Sequence, residues 1–298
     1  MEVDGLRVDG ECCPLPGFSR ESLEECRRLA TRWLDRRHLD DGVLQDFSAD
    51  AAAFPALRSA VETLRIQLAA AQGRTILGWP DRVREEVQAH ALVADERAAV
   101  AALTEGFQTL KIKVGAQPLR DEVRRVRAIR RAVGDAARIR LDANRAWSEE
   151  DARTALDGFQ PERIEFIEEP LASGGPAALA ALRTYSTIPI AADEQARDEA
   201  SVRALLQHES ADVIVLKPAL CGGPLTTLKL AEACVAKGVR VVVTTAFDGP
   251  VGTAMTLELC ARLPGIAIAH GVATGRLFAE RALFAQPTLG TFLLGGGR

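Results

Sequence analysis

The stretch RIRLDANRAWSEEDARTALDGFQPERIEFIEEP, residues 138–170, contains the repeating unit from which we predict the fold. Apolar runs open and close it, at 138–144 and 164–170, and the amphipathic run SEEDARTALDGF (148–159) lies between them. This alternation is typical of a strand, a helix and a second strand parallel to the first. Both apolar runs end in acidic residues, so we expect carboxylates at the same end of neighbouring strands.

The same unit recurs over residues 86–275. Eight apolar runs are found: VQAHALV (87–93), TLKIKVG (109–115), RIRLDAN (138–144), IEFIEEP (164–170), IPIAADE (188–194), DVIVLKP (212–218), VRVVVTT (239–245) and IAIAHG (266–271). Amphipathic runs separate them and often end at glycine, as helices do. Eight evenly spaced units predict an α/β fold, a (β/α)₈-type, TIM-like barrel. The alternative is an open doubly wound sheet, but no G-x-G-x-x-G loop follows the first run.

Residues 1–85 have a different pattern. Helices are predicted from Ser19 to about Arg37 and from Pro55 to about Ala71, joined by segments rich in Asp, Gly and Pro. We interpret 1–85 as a small α+β domain beside the barrel. The tail, 276–298, lacks periodicity and is expected to pack on that domain, with its last four residues frayed.

Composition and charge exclude several classes of protein. The formal net charge of −4 gives no reason to expect nucleic acid or an anionic membrane as a partner. No apolar run approaches the roughly 18 residues that span a bilayer, and MEVDGLRVDGE lacks the apolar core of a secretory signal. The six cysteines are scattered and form no C-x-x-C pair, which favours a reducing, cytoplasmic location. His38 is expected at the surface, and the oligomeric state is left open.

Charged residues stand at the carboxyl ends of five consecutive predicted strands. They are Lys111 and Lys113, then Asp142, then Glu168 and Glu169, then Asp193 and Glu194, then Lys217. Only five of the 37 basic residues are lysines, so lysine is not the usual surface cation of this chain. Charges buried in a barrel mouth must be compensated by one another or by a metal.

Three acidic residues on adjacent strands suit a magnesium ion. Asp142, Glu168 and Asp193 offer the oxygen ligands that Mg²⁺ prefers. Lys113 and Lys217 lie on flanking strands and could face opposite sides of a substrate, and a lysine near a cation is expected to have a lowered pKa. A metal and a base together indicate proton abstraction next to a carboxylate, with the metal stabilising the developing enediolate. The simpler alternative is a set of salt bridges between strands.

The order K-x-K, LDAN, EEP, DE and KP resembles the enolase superfamily, in the branch with two barrel lysines. Within it, the sequence is most similar to the o-succinylbenzoate synthase family of menaquinone biosynthesis. The matching segments are PLPGFSRES (14–22), TLKIKVG (109–115), RLDANRAW (140–147), IEFIEEPL (164–171), AADE (191–194), VLKPALCGG (215–223) and AHGVATG (269–275). The resemblance implies a (β/α)₇β barrel with an α+β capping domain, here shortened at its N-terminus.

Residue roles follow from the resemblance by position. It implies Mg²⁺, with Mn²⁺ as a substitute, held by Asp142, Glu168 and Asp193, with Lys113 as acid and base and Lys217 as the opposing cation. Supporting or positioning roles fall to Lys111, Arg140, Asn144, Glu169 and Glu194. Contacts with a succinyl side chain fall to Gly222, Gly223, Thr244 and Thr245.

The implied reaction is a carbon–oxygen lyase reaction on a small carboxylate: 2-succinyl-6-hydroxy-2,4-cyclohexadiene-1-carboxylate loses water to give 2-succinylbenzoate. Two alternatives stay open: an N-acylamino acid racemase or dipeptide epimerase of the same superfamily, and a non-catalytic barrel without its lid. The chain begins later than the family pattern does. The preceding part of that pattern is expected to hold a mobile lid. It also has His90 in place of an asparagine, and TTAFDGPVG (244–252) in place of a serine-rich run.

Overall fold

The structure, a computed structural model, describes residues 2–3, 6–35 and 40–294, and strands alternate with helices over most of that length. The strands are β1 (Glu2–Val3), β2 (Leu6–Arg7), β3 (Glu86–Gln88), β4 (His90–Val93), β5 (Thr109–Lys113), β6 (Arg138–Asp142), β7 (Ile164–Glu168), β8 (Ile190–Ala192), β9 (Val213–Leu216), β10 (Arg240–Val243) and β11 (Thr291–Leu293). The α-helices are α1 (Leu23–Leu34), α2 (Asp41–Asp50), α3 (Pro55–Ala71), α4 (Glu96–Thr104), α5 (Leu119–Val133), α6 (Glu149–Phe159), α7 (Gly175–Tyr185), α8 (Glu199–Gln207), α9 (Pro218–Cys221), α10 (Pro224–Ala236) and α11 (Pro250–Cys260). Short 3₁₀ turns lie at Ala51–Ala53, Gln160–Glu162, Thr274–Leu277 and Arg281–Leu283. None of the helices described is both long enough and apolar enough to cross a membrane.

A seven-stranded parallel sheet, in the order β10-β9-β8-β7-β6-β5-β4, forms the centre of the chain. Each strand pairs with the next one along the chain, and one or two helices cover every crossover, as parallel pairing requires. The eighth predicted strand, 266–271, closes the sheet without forming a regular strand. His270 bridges to Ala89 on one side, and Gly271 bridges to Thr244 on the other. The predicted TIM-like barrel is therefore confirmed, with its last strand reduced to bridges.

Strand β9 shows how the barrel buries both faces of its sheet. Successive side chains of a strand point to opposite faces. Ile214 and Leu216 accordingly join the large apolar cluster that packs the sheet against its helices, whereas Val213 and Val215 join a separate cluster with Phe166. Burial on both faces explains why the predicted runs are apolar until their charged carboxyl ends.

The N-terminal region has an apolar core of its own. Its buried residues are Val8, Cys26, Trp33, Leu44, Phe47, Ala51, Leu57, Val61, Leu64 and Leu68. Helix α3 has the predicted bounds. Helix α1 begins later than predicted because Ser22 forms its N-terminal cap, accepting from the Glu25 N–H while the Glu25 carboxylate accepts from the Ser22 N–H at 2.8 Å. Arg37, where we expected α1 to end, and His38 lie outside the described residues.

Helix α2 was missed by the sequence analysis, which assigned its residues to a linking segment. Its sequence, DGVLQDFSAD, is mostly polar, and its apolar signal is short. Leu44 and Phe47 lie on one face, three residues apart, and both are buried. Phe47 stacks on Trp33 of α1 with 5.1 Å between ring centroids, so packing rather than local propensity stabilises this helix.

The described part of the C-terminal tail pairs with β3, next to the first strand of the barrel. Strand β11 pairs antiparallel with β3, and the N–H of Ala89 donates to the carbonyl of Gly290 at 3.0 Å. Gly106 and Leu289 approach so closely that a Cβ on Gly106 would lie 2.3 Å from the Leu289 Cα. Phe292 of β11 is buried, and the burial of this apolar side chain stabilises the pairing of the tail with β3. Residues 295–298, predicted to be frayed, lie outside the described residues.

Glu62 of α3 attaches the N-terminal region to the barrel. Its side chain is almost fully buried, accepts from the Leu225 N–H at 2.9 Å at the start of α10, and pairs with Arg58 at 3.2 Å. A carboxylate at a helix N-terminus satisfies unpaired N–H groups and meets the positive end of the helix dipole. A Cβ on Gly223 would lie 2.3 Å from Oε2 of Glu62, so glycine at this position permits the close approach.

Replacing Glu62 with alanine is expected to lower the free energy of unfolding by about 1–3 kcal/mol, because the Leu225 N–H and Arg58 both lose a buried partner. Urea denaturation measures this change. The matched control is Glu150→Ala, which removes an exposed glutamate from the first turn of α6 and should change the free energy by less than about 0.5 kcal/mol. Equal effects of the two substitutions would contradict a docking role for Glu62.

Candidate active site at the carboxyl ends of the barrel strands

The strand register brings the predicted charged residues together. Lys113 on β5 lies beside Asp142 on β6, and Asp142 lies beside Glu168 on β7. Glu168 pairs with Ala191 on β8, and Asp193 follows two residues later. The three acidic residues are buried, with exposed fractions of 1% for Asp142, 2% for Glu168 and 9% for Asp193.

Each buried carboxylate is bound by a lysine. The Lys111 Nζ lies 2.9 Å from both carboxylate oxygens of Glu168 and 2.8 Å from Oδ2 of Asp142. Lys113 donates to the same Asp142 oxygen at 2.7 Å, and Lys217 donates to Asp193. Three ammonium groups thus compensate three carboxylates that would be very costly to bury alone.

These contacts set the pKa directions in the cluster. Burial alone would lower the pKa of Lys111 and of Lys217, but Glu168 beside the first and Asp193 beside the second raise both above their usual values. Burial would raise the pKa of Asp142, yet Lys111 and Lys113 hold it below its usual value. These directions apply to amines that contact carboxylates directly. The lowered pKa predicted from the sequence is that of a lysine beside a bound cation, and it stays a prediction.

The acidic cluster has the donor chemistry for a hard divalent cation, although its oxygens face lysines. Within residues 2–3, 6–35 and 40–294, no three side chains of the types His, Cys, Asp and Glu form a ready-made metal cluster. Lys111 nevertheless contacts two of the three acids and interacts electrostatically with the third, Asp193. Burial, which outweighs the contact with Lys111, raises the pKa of Glu168 to about 8, so further positive charge would be favourable there. Three buried carboxylates on adjacent strands therefore fit Mg²⁺.

Glu169 and Asn144 organise the loops around the cluster. The Glu169 carboxylate accepts from the backbone N–H of Asp193 at 2.8 Å, and burial raises its pKa to about 7. Asn144 donates from Nδ2 to Glu194 at 2.9 Å and also accepts from Lys113. Glu169 and Asn144 both have a φ of +43°, a strained conformation that is common at functional sites.

Arg140 lies beneath the cluster and is fully buried. Its Nε donates to Glu165 at 2.7 Å, its Nη1 donates to the carbonyl of Ala269 at 2.7 Å, and its guanidinium stacks on Phe166. Arg140 does not line the cavity above. A direct contact with substrate, one of the roles considered for it, is therefore not supported by its position.

A cavity of about 450 Å³ opens above the charged cluster. Its polar floor includes Lys111, Lys113, Asp142, Asp193 and Lys217, with Asn144, Glu194, Thr244 and Thr245 at the side. Its walls are largely apolar, formed by residues such as Leu92, Val93 and Leu277. A largely apolar cavity with a few charged groups is typical of a binding site for a small organic molecule.

The four residues predicted to contact a succinyl chain divide into two pairs. Thr244 and Thr245 line the cavity. Gly222 and Gly223 do not, because the N-terminal region covers them, with Arg58 beside Gly222 and Glu62 beside Gly223. The close approach of Glu62 explains the glycine at 223, and φ values of +92° and +117° favour glycine at both positions.

Several cavity-lining residues were not singled out from the sequence. Among them are Leu15 and Phe18 from the N-terminal region, Phe247 after β10, and Arg276 and Arg281 from the tail. Phe247 has a φ of +60° and is half exposed, and the unusual segment 244–252 was the only signal for it. Arg276 and Arg281 lie in an aperiodic tail, so only the tertiary structure brings them to the cavity.

Comparison with known proteins agrees with this geometry. The family described as enolase C-terminal domain-like matches residues 94–289. The o-succinylbenzoate synthase of Thermobifida fusca is 38% identical over 206 residues, which cover 67% of this chain and 63% of that protein. The o-succinylbenzoate synthase of Mycobacterium leprae is 39% identical over 225 residues, covering 74% and 64% respectively. The matches thus span less than two thirds of these relatives.

Among solved structures, a dipeptide epimerase from Enterococcus faecalis superposes with a TM-score of 0.85 at 25% identity. The match covers 99% of this chain and 90% of that one. Similarity in sequence and in fold therefore points to the superfamily that the strand-end motifs predicted. The chain belongs to the enolase C-terminal domain-like family.

Proposed function

We propose that the chain is a Mg²⁺-dependent lyase that dehydrates 2-succinyl-6-hydroxy-2,4-cyclohexadiene-1-carboxylate to 2-succinylbenzoate. The observation that carries the proposal is the charged floor of the cavity. Lys113 is paired there with Asp142 and Lys217 with Asp193, while Glu168 lies buried beside them against Lys111. The similarity to two proteins named o-succinylbenzoate synthase supports this choice of reaction.

Lys113 is the better candidate for the base among the lysines of the floor. Its side chain is 51% exposed to the cavity, whereas that of Lys111 is 14% exposed and is held by two carboxylates. In its neutral form Lys113 would take the proton from the carbon next to the ring carboxylate. The protonated Lys113 would then give this proton to the departing hydroxyl group, which leaves the ring as water, and aromatisation makes the step favourable.

Lys217 would act as a fixed cation on the opposite side of the substrate. Lys113 lies on β5, and Lys217 directly follows β9. Three strands, β6, β7 and β8, lie between β5 and β9 in the sheet. Lys217 is only 13% exposed and is paired with Asp193, so it suits charge stabilisation better than proton transfer. Mg²⁺ held by Asp142, Glu168 and Asp193 would supply positive charge next to the substrate carboxylate.

Residues 1–85 would serve as the capping domain and residues 86–275 as the catalytic barrel. Leu15 and Phe18 reach the cavity from the N-terminal region and would cover the apolar part of a substrate. At another part of the lining, Arg281 adds positive charge from the tail, whereas Arg276 is paired with Glu105, which also lines the cavity. A substrate with two carboxylates fits such a cavity, and this favours the succinyl substrate.

Magnesium is expected to raise the melting temperature of the wild-type chain, because a ligand that binds only the folded state stabilises it, by about 2.7 kcal/mol at 100 times its Kd. The substitution Glu168→Gln should abolish this rise because it removes one of the three proposed ligands. The control Glu199→Gln, at an exposed position of α8, should keep it. Differential scanning calorimetry with and without Mg²⁺ measures the effect. A full shift in Glu168→Gln would contradict the proposed site.

The substitution Lys113→Ala is expected to slow Mg²⁺-dependent dehydration roughly 10²–10⁴-fold, the usual contribution of a general base. Formation of the aromatic product is followed by ultraviolet absorbance. Lys229→Ala removes an exposed lysine of α10 and should leave the rate unchanged. Unchanged turnover in Lys113→Ala would remove that residue from its role.

A racemase or epimerase is the second candidate, because the dipeptide epimerase covers nearly the whole chain and two flanking lysines suit proton transfer on both faces of a carbon. Incubation with N-acylamino acids or dipeptides in deuterated water distinguishes the two. Exchange of the alpha proton with racemisation, without dehydration of the cyclohexadiene, would favour this candidate. Turnover of neither substrate class by a chain that binds Mg²⁺ would favour a non-catalytic barrel.

A further inference from the structure

His90 is a cavity residue that the proposed reaction does not use. It is the first residue of β4, and its backbone N–H donates to the carbonyl of His270 where the barrel closes. Its imidazole lines the same cavity as Lys111 and Lys113. The ring is therefore in a position to contact a substrate bound above the charged floor.

Arg140 determines which ring nitrogen of His90 carries the proton. The Arg140 Nη1 lies 3.1 Å from the His90 Nδ1. A guanidinium has only donors and stays protonated, so Nδ1 must accept and the hydrogen must be on Nε2. Glu165 and the Ala269 carbonyl hold Arg140 from other sides at 2.7 Å each, which fixes this arrangement.

The surroundings also keep the ring neutral. Burial, followed by the positive charges of Arg140 and Lys111, holds the pKa of His90 well below its usual value. A neutral ring whose Nδ1 already accepts cannot act as a base through that nitrogen. Among the described residues, Nε2 of His90 has no hydrogen-bond partner, so it presents an uncharged donor that the protein does not use.

We propose that His90 donates a hydrogen bond from Nε2 to the ketone oxygen of the succinyl side chain, and so acts as a specificity residue. This inference rests on the proposed function. The cationic side chains of the cavity match the carboxylates of the substrate, whereas an uncharged donor can bind the ketone oxygen without competing for a carboxylate. A neutral imidazole with a fixed tautomer supplies that donor and does not take up the proton moved by Lys113.

The experiment compares two ligands that differ only at the ketone: 2-succinylbenzoate and 4-(2-carboxyphenyl)butanoate, in which a methylene replaces the carbonyl. Calorimetric titration of the Mg²⁺-loaded full chain gives their affinities without any turnover. In His90→Leu, binding of 2-succinylbenzoate should weaken about 3- to 10-fold, the loss expected for one neutral hydrogen bond. Binding of the methylene analogue should stay the same, which also shows that the variant is folded.

His90→Asn is the matched variant, because its amide can accept from Arg140 and still donate to the ligand. It should retain most of the preference for the ketone. Equal weakening of both ligands in His90→Leu, or no weakening of either, would overturn the assignment and leave the proposed function standing. Failure of the wild type to bind either ligand would overturn both. Nitrogen NMR of His90 tests the tautomer separately, and a proton on Nδ1 would contradict the Arg140 contact.

Discussion

The contact of Lys111 with Glu168 and Asp142 is the constraint on which the site depends. Parallel strands that are buried on both faces carry their charges only at their carboxyl ends, and there the charges meet in a confined space. Burial of a carboxylate to this degree is costly unless a cation or hydrogen-bond donors compensate it. Lys111 provides that cation for two strands at once, and so fixes the side chains of β6 and β7 relative to each other.

The same constraint separates the roles of the lysines. A lysine that bridges two carboxylates is held in place, and Lys111 is accordingly little exposed. Lys113 shares one of those carboxylates but extends into the cavity. Residues beneath the charged cluster are also fixed by hydrogen bonds, because Glu169 binds the backbone of Asp193 and Arg140 binds the ring of His90. Reactivity can thus be confined to a few groups while the rest are fixed by hydrogen bonds.

Much of the barrel could be predicted because its strands and helices have strong local patterns. The strand from Thr109 to Lys113 and the helix from Pro55 to Ala71 lie where the sequence placed them. Helix α2 could not be predicted, because its apolar signal is short and its sequence is mostly polar; Leu44 and Phe47 are buried, and Phe47 stacks on Trp33. The return of the tail to β3 was equally hidden, since the pairing of β11 depends on a strand two hundred residues away.

The charged floor could be predicted because register and alternation fix which strand ends meet. The residues around the floor are positioned by long-range packing. The local sequence does not indicate that Glu62 packs on Gly223 or that Arg276 lines the cavity. Salt bridges between strands were the simpler alternative for these charges, and the direct contact with Asp193 raises the pKa of Lys217 despite its burial.

The claim at the centre of this account is that Asp142, Glu168 and Asp193 bind one divalent cation between Lys113 and Lys217. A crystal structure grown with Mn²⁺ and 2-succinylbenzoate, with the metal located by anomalous scattering, tests it directly. The account predicts a single peak with one oxygen of each acid within about 2.2 Å, and the Lys111 amine moved away from Glu168. A peak at other residues, or Lys111 still bridging Glu168 and Asp142 with no metal between the acids, would contradict it.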